Sequence, residues 1–539
     1  MGRFQSVVAR ANKKLTLQLA AALLAGSTLV SSLLGLFRDR LFNAQYLGTA
    51  AGDAYTVAFT VPDFMYFILV SGALSVTFIP VFNQRLASGN RKSAWELSTS
   101  VLNLMALATL TASILIMVFA EPLVAYVVGP GLDEAGRSLA VSLMRVVAIN
   151  PFIFAIATVI SSMQQAVGRF SFFALAPTIY NVGIIIGITV FTHGINLFGW
   201  QIFDGGVMGV ALGVVLGSIL QLLVSVIGLT GMGFDYRFKI YWRNKGFRKV
   251  LSLLPARSLD QGIDYVNSIV ETNLASRMAT GTVRAYQQAT TLHMVPINLI
   301  GVAISTAAFP NMTERLNQGR PDLFKKELQT VLRVVIWLAL PVATITFFAR
   351  GYLANFVNNG GDRMISDLLG VLAVAILFRS VYHIASRSFY AQQDTKTPLY
   401  ISLVSVGFNV FLAIALAFWL DWGVTGIAVA AALAAIVEVV ILFSIMSIRL
   451  KGLFDIVFAH AVARMMSATG FMAIVTYGMV LWLPLQGGEQ SFFTTFPSFA
   501  LIAFVSMAAY VLLCMMLKLK EPVPVIRQIK RMLFGRVGR

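Results

Sequence analysis

DGGVMGVALGVVLGSILQ at residues 204–221 returns as DWGVTGIAVAAALAAIVE at residues 421–438. Without a gap, Asp204/Asp421, Gly206/Gly423, Val207/Val424, Gly209/Gly426, Ala211/Ala428, Leu216/Leu433 and Ile219/Ile436 are identical, and Gln221 meets Glu438. A fainter echo pairs Pro80, Arg85, Leu86 and Gly89 with Pro310, Arg315, Leu316 and Gly319. The ladder Gly205-Gly209-Gly213-Gly217 could by itself be a close-packing helix face. The ungapped identities favour an internal repeat.

Both copies lie in stretches long and apolar enough to cross a bilayer, which takes about 20 residues. Such spans are expected near 15–37, 54–83, 96–119, 138–162, 172–192, 206–231, 249–273, 285–312, 328–349, 366–388, 398–420, 423–448, 463–484 and 495–517. That gives about fourteen. The repeated stretches are the sixth and the twelfth. An even separation preserves orientation, so the halves form a parallel repeat about a pseudo-twofold along the membrane normal. The expected fold is an all-α integral membrane protein: one lobe over 1–235, a second over 236–450, then helices 13 and 14 with a basic tail over 451–539.

Composition agrees. The 539 residues are 58% hydrophobic and 12% charged, with mean hydropathy +0.80, whereas soluble domains are about 25% charged. The net charge of +18 suggests nucleic acid until it is placed along the chain. With a cytoplasmic N-terminus and alternating spans, 30 of the 41 Lys and Arg fall on the cytoplasmic side and 7 on the other. The excess is the positive-inside asymmetry, and no nucleic acid partner is implied. The seventh span, LLPARSLDQGIDYVNSIVETN (253–273), is weakly apolar, but the basic segments either side of helices 7 and 8 require it. The apolar run after Arg3, Arg10, Lys13 and Lys14 continues to Phe37 and reads as a retained first helix.

Ions inside spans mark function or pairing. Arg257, Asp260, Asp264, Asn267 and Glu271 recur at steps of 3, 4, 3 and 4. They therefore share roughly 80° of helix surface. Either they pair with one another along one helix, or they line a hydrated path on which Asp260, Asp264 and Glu271 could bind a coupling Na⁺ or H⁺. Arg145, Arg379, His383 and Glu438 are further intramembrane ionisable residues. Cys514, the one cysteine, lies in an apolar run. No P-loop, GxSxG or HExxH pattern is present, and no cofactor, metal site or enzyme activity is expected.

SSLLGLFRD (31–39), GDAYTVAFTVPD (52–63), GALSVTFIPVF (72–82), GRFSFFALAPTIYN (168–181) and SFYAQQDTKTP (388–398) resemble the MurJ (MviN) family of lipid II flippases, within the MOP transporter superfamily. The likeness covers nearly the whole chain. The second stretch resembles the family pattern Thr-Asp-Ala-x-x-x-Ala-x-x-x-Pro-Asn. The resemblance implies two lobes around a cationic cavity in which arginines hold a pyrophosphate-linked head group, a lipid-tail groove in helices 13 and 14, and alternating access without covalent chemistry. Carried over by position, Arg38, Asp39 and Asp53 match. The family's first helix 1 arginine is Ser32 here, its helix 2 arginine Tyr66, a nearby glutamate Ser71, and its helix 8 Asp-Arg-x-x-Glu stretch reads Thr290-Thr291-Leu292-His293-Met294.

The expected function is flipping of lipid II from the cytoplasmic to the outer leaflet of the bacterial inner membrane. Arg38, Asp39, Asp53, Arg145 and Arg257 are the candidate substrate-binding residues, and Arg379 is a further source of cavity charge. Expected partners are an undecaprenyl-pyrophosphate-type glycan precursor, membrane lipids and cell-wall synthesis proteins. The alternatives are a flippase for an O-antigen or capsule precursor and a non-transporting envelope scaffold. A MATE-type drug exporter fits the turns poorly.

Overall fold

The structure, a computed structural model, describes residues 17–197, 200–485 and 491–523. Fourteen long helices run through these residues. The first three are α1 (Leu17–Tyr46), α2 (Ala50–Tyr66, a π turn at Phe67–Ser71, then Gly72–Ala87) and α3 (Arg91–Val118). Next come α4 (Glu134–Ala166), α5 (Ser171–Thr189), α6 (Val207–Ile227) and α7 (Lys245–Ser276). The rest are α8 (Thr282–Ile297, a π turn at Asn298–Val302, then Ala303–Asn317), α9 (Pro321–Phe348), α10 (Arg363–Ala391), α11 (Lys396–Ile414, extended by a π turn at Ala415–Trp419), α12 (Gly423–Arg449), α13 (Ile456–Trp482) and α14 (Phe492–Met516).

Among the described residues, twelve of the fourteen, α2–α6 and α8–α14, are long and apolar enough to cross a membrane. The chain is a multi-pass membrane protein. The 32-residue α7 is helical throughout, and its ionic stripe keeps its hydropathy low. The all-α expectation needs one amendment: Ile195–Leu197 (β1) and Trp200–Phe203 (β2) form a short antiparallel ribbon between α5 and α6. The ribbon closes through Gly194 (φ 80°) and Gly205 (φ 91°). A Cβ on Gly205 would lie 2.3 Å from the Thr192 carbonyl oxygen.

Polar residues start several of the helices. Thr49, Asp133, Asn244, Asp362, Asp455 and Ser491 each accept a hydrogen bond from a backbone N–H of the helix they precede, satisfying donors the first turn leaves open. The chain packs as two compact units, 1–284 and 285–539. The first is cored by Phe78, Phe82, Trp95, Met163 and Phe247. In the second, Met312, Phe324, Ile384 and Met446 form one core, and α13 and α14 add a second with Trp337, Met465, Met472 and Tyr510. Repeat and packing divide the chain differently. The repeat boundary at 235/236 follows topology, whereas α7 packs within the first unit, where Tyr265 stacks on Phe67 at 4.2 Å.

The glycine ladder is a contact surface. A Cβ on Gly213 would come 2.4 Å from Gly187 Cα, and one on Gly183 would come 2.3 Å from Gly217 Cα. The backbones of α5 and α6 therefore touch. In the second unit the positions of Gly213 and Gly217 are Ala430 and Ala434, and a Cβ on Gly426 would lie 2.7 Å from Ala417 N.

The two family-like turns do the same work with opposite polarity. After α4, Arg169 donates to the carbonyls of Thr230 (2.8 Å) and Gly231 (2.9 Å) beyond the end of α6. After α10, Asp394 takes Arg449 at the end of α12 (2.7 Å) together with the N–H and hydroxyl of Thr397. Desolvation would raise the Asp394 carboxyl, but the bonds from Thr397 and Arg449 outweigh it and hold it at about 2. A depressed carboxylate contributes stability above its unfolded value of about 4 and loses it as pH falls through the folded value. Solvent screening limits the contribution to about 1 kcal/mol. Thermal melting should therefore weaken between about pH 4 and pH 2, and less steeply in Asp394→Asn.

Candidate functional site

The site grows from the end of α1. Arg38 and Asp39 are neighbours in sequence, and Arg38 Nη2 lies 3.0 Å from Asp39 Oδ1. Arg38 also donates from Nη1 to Asn181 Oδ1 on α5 at 3.0 Å. Asn181 is held in turn, donating from Nδ2 to the Pro177 carbonyl at 3.0 Å and to Ser31 at 3.3 Å. α5 starts at Ser171 and holds Pro177 inside it, not at its start as the APTIYN stretch suggests, and it aims one amide at one guanidinium.

The second cation is Arg284, near the start of α8. Its Nη2 lies 3.6 Å from the same Asp39 oxygen, and its Nε donates to Asn43 Oδ1 at 2.9 Å. Its guanidinium sits over the Phe42 ring at 4.4 Å. One carboxylate therefore stands between two arginines, leaving a net positive group at the membrane edge of the first unit. Arg284 is nearly buried (7% exposed), while Arg38 keeps 27% of its side chain open. Arg38 is the arginine that can meet an anion, and Arg284 braces it. The planar fork of arginine suits phosphate oxygens.

Asp53 has a different task. Its Oδ2 accepts from Gly281 N at 2.5 Å and its Oδ1 from Arg284 N at 2.8 Å. It is a helix cap delivered from α2 to the first turn of α8, and these bonds orient Arg284. Both oxygens are engaged, so Asp53 positions the site.

The other candidates fall elsewhere. Arg145 is exposed and donates from Nε to the Met117 carbonyl at 3.3 Å, outside the cluster. Arg379, 3.5 Å from the buried Glu438, is paired; Ser402 donates to the other Glu438 oxygen at 2.7 Å. Glu271 is buried and accepts from Asn267 Nδ2 at 2.8 Å, so this end of the stripe pairs within its own helix. The side chains of Arg257, Asp260 and Asp264 lie outside the described residues. Sequence reading missed Arg284, Asn181 and Asn43 as site residues. Asn181 closes the GRFSFFALAPTIYN stretch. In sequence Arg284 is one of seven basic residues on the non-cytoplasmic side, with nothing local to single it out.

The family described as "Lipid II flippase MurJ" matches residues 43–498. A "Probable lipid II flippase MurJ" of Bdellovibrio bacteriovorus is 27% identical over 92% of this chain and 94% of that protein. Another, of Thermotoga maritima, is 26% identical over 93% and 97%. Among solved structures, a lipid II flippase MurJ in an inward closed conformation superposes with a TM-score of 0.70 at 22% identity, over 91% of this chain and 98% of that one. An inward-facing MATE family transporter of the MOP superfamily gives 0.66 at 16% identity, over 79% and 96%.

Proposed function

The chain belongs to the lipid II flippase MurJ family, and from that premise we propose that it carries lipid II from the cytoplasmic to the outer leaflet of the bacterial inner membrane. It is a transporter and not an enzyme. Peptidoglycan synthesis is the process it serves. The relatives' names give no weight to an O-antigen carrier or a scaffold.

The observation that supports this reading is the Arg38–Asp39–Arg284 group. Lipid II presents a pyrophosphate, which cannot enter hydrocarbon bare. Arg38 would meet the phosphate oxygens, Asn181 would fix its fork, and Asp39 would hold Arg38 and Arg284 together despite their like charge. Alternating access then exposes the head group first to one side and then to the other. With both termini cytoplasmic, Arg38 stands toward the outer leaflet, where release occurs. A membrane potential supplies about 2.3 kcal/mol per charge per 100 mV. Asp260, Asp264 and Glu271 remain the proposed Na⁺ or H⁺ coupling residues. Cell-wall synthesis proteins are the proposed protein partners.

Complementation tests the reading. In a bacterium depleted of its own lipid II flippase, expression of this chain should restore growth and outer-leaflet lipid II. A chain present in the membrane that restores neither would refute it.

A further inference from the structure

Asp63 stands one residue after Pro62 in α2, inside the span Ala50–Val70. It is exposed and, among the described residues, makes no ion pair or hydrogen bond. A bare carboxylate at that depth needs water or a cation.

Its surroundings say which cation. Tyr55, Phe59, Asp63 and Tyr66 follow one another at steps of 4, 4 and 3 and share one face of α2. Tyr55, Tyr66 and Tyr180 lie within electrostatic reach of the Asp63 carboxyl. These tyrosines belong to two strings of rings. One is Phe42–Tyr55–Phe59, with centroids 4.5 and 4.6 Å apart. The other is Tyr66–Phe154–Tyr180, at 5.5 and 5.2 Å. All but Phe42 are half-buried, so they retain open surface. A small metal cation takes several oxygen ligands, and one carboxylate supplies too few. A carboxylate grouped with aromatic rings is the chemistry that holds an organic ammonium.

Two departures from the family pattern point the same way. Where the pattern ends in asparagine, this chain has Asp63, and one turn on, the arginine is Tyr66. An amide has become an anion and a cation has become a ring. Both changes turn an anion-attracting surface into a cation-attracting one.

We propose that Asp63, with Tyr55, Tyr66 and Tyr180, binds a primary ammonium carried on the head group of the lipid-linked substrate. This rests on the function proposed above and deepens it. The site is bipolar: Arg38 takes the pyrophosphate, and Asp63 takes an amine further along the head group. Ten residues of helix separate Asp63 from Asp53, the cap beneath Arg284, or about 15 Å along α2.

The test uses the full chain in lipid nanodiscs and two probes: lipid II with a free amine on its peptide side chain, and the same molecule with that amine acetylated. The wild type should bind the free amine at least about tenfold more tightly. Asp63→Asn should bind both forms equally, with the wild-type affinity for the acetylated one, which also shows that the variant is folded. Equal binding of both probes by the wild type, or a preference that survives in Asp63→Asn, overturns the proposal and leaves the lipid II reading standing. Failure of the wild type to bind either probe overturns both. The wild-type comparison decides the matter even if Asp63→Asn does not fold.

Discussion

Arg284→Ala is expected to lower lipid II translocation in proteoliposomes by about 100-fold or more. The guanidinium is nearly buried and bonds Asn43, lies against Asp39 and covers the Phe42 ring. Removing it strands two polar partners, and breaking a buried pair costs about 3–5 kcal/mol. Asp39 would then neutralise Arg38 alone, and the group would lose its net positive charge. The bond from Asp53 Oδ1 goes to the backbone N of residue 284, so the start of α8 stays capped in the variant. Function should therefore fall further than fold. Arg284→Lys restores charge but not the fork, since one ammonium cannot reproduce the bonds to both Asn43 and Asp39; it should recover no more than about a tenth of activity. Wild-type transport by Arg284→Ala would remove this group from the substrate path.

Gly213→Val is expected to leave almost no folded protein in the membrane. Even the first carbon of a side chain would lie 2.4 Å from Gly187 Cα and 2.8 Å from Gly187 N. Backbone atoms cannot swing aside, so α5 and α6 must part along their length. Overpacking usually costs about 1–3 kcal/mol where side chains can adjust; here alanine should reach the upper end and valine exceed it. Close approach through small residues is also what holds helices together in lipid. Gly470→Ala in α13 is the control. Nothing lies within 4 Å of its Cβ position, and its melting temperature in detergent should match the wild type.

The helices were legible because spanning segments are long and uniformly apolar. The long helices coincide with the expected spans to within a few residues at most ends. The turns at Arg169 and Asp394 were legible because glycine and proline punctuate them. The ribbon at 195–203 was not: two strands of three and four residues carry too little periodicity to stand out from a loop. The site was half legible. Arg38 and Asp39 sit together in sequence. Arg284 meets them only because Asp53 caps a helix 231 residues away, and no local pattern records a pairing at that distance. The stripe on α7 illustrates the converse. Its spacing put Asn267 and Glu271 on one face, and that spacing also lets them bond each other at 2.8 Å.

Two of the π turns occupy matching places in the two halves. A π turn is one extra residue accommodated in an α-helix. α2 has one at Phe67–Ser71 and α8 at Asn298–Val302, and the flanking prolines Pro80 and Pro310 keep nearly the same interval. The simplest history is one insertion in an ancestral half-length gene, copied when that gene doubled. The turn at Ala415–Trp419 in α11 has no counterpart in α5, which ends in a 3₁₀ turn at Phe191–His193. The two halves thus share one irregularity of their helices and differ in another.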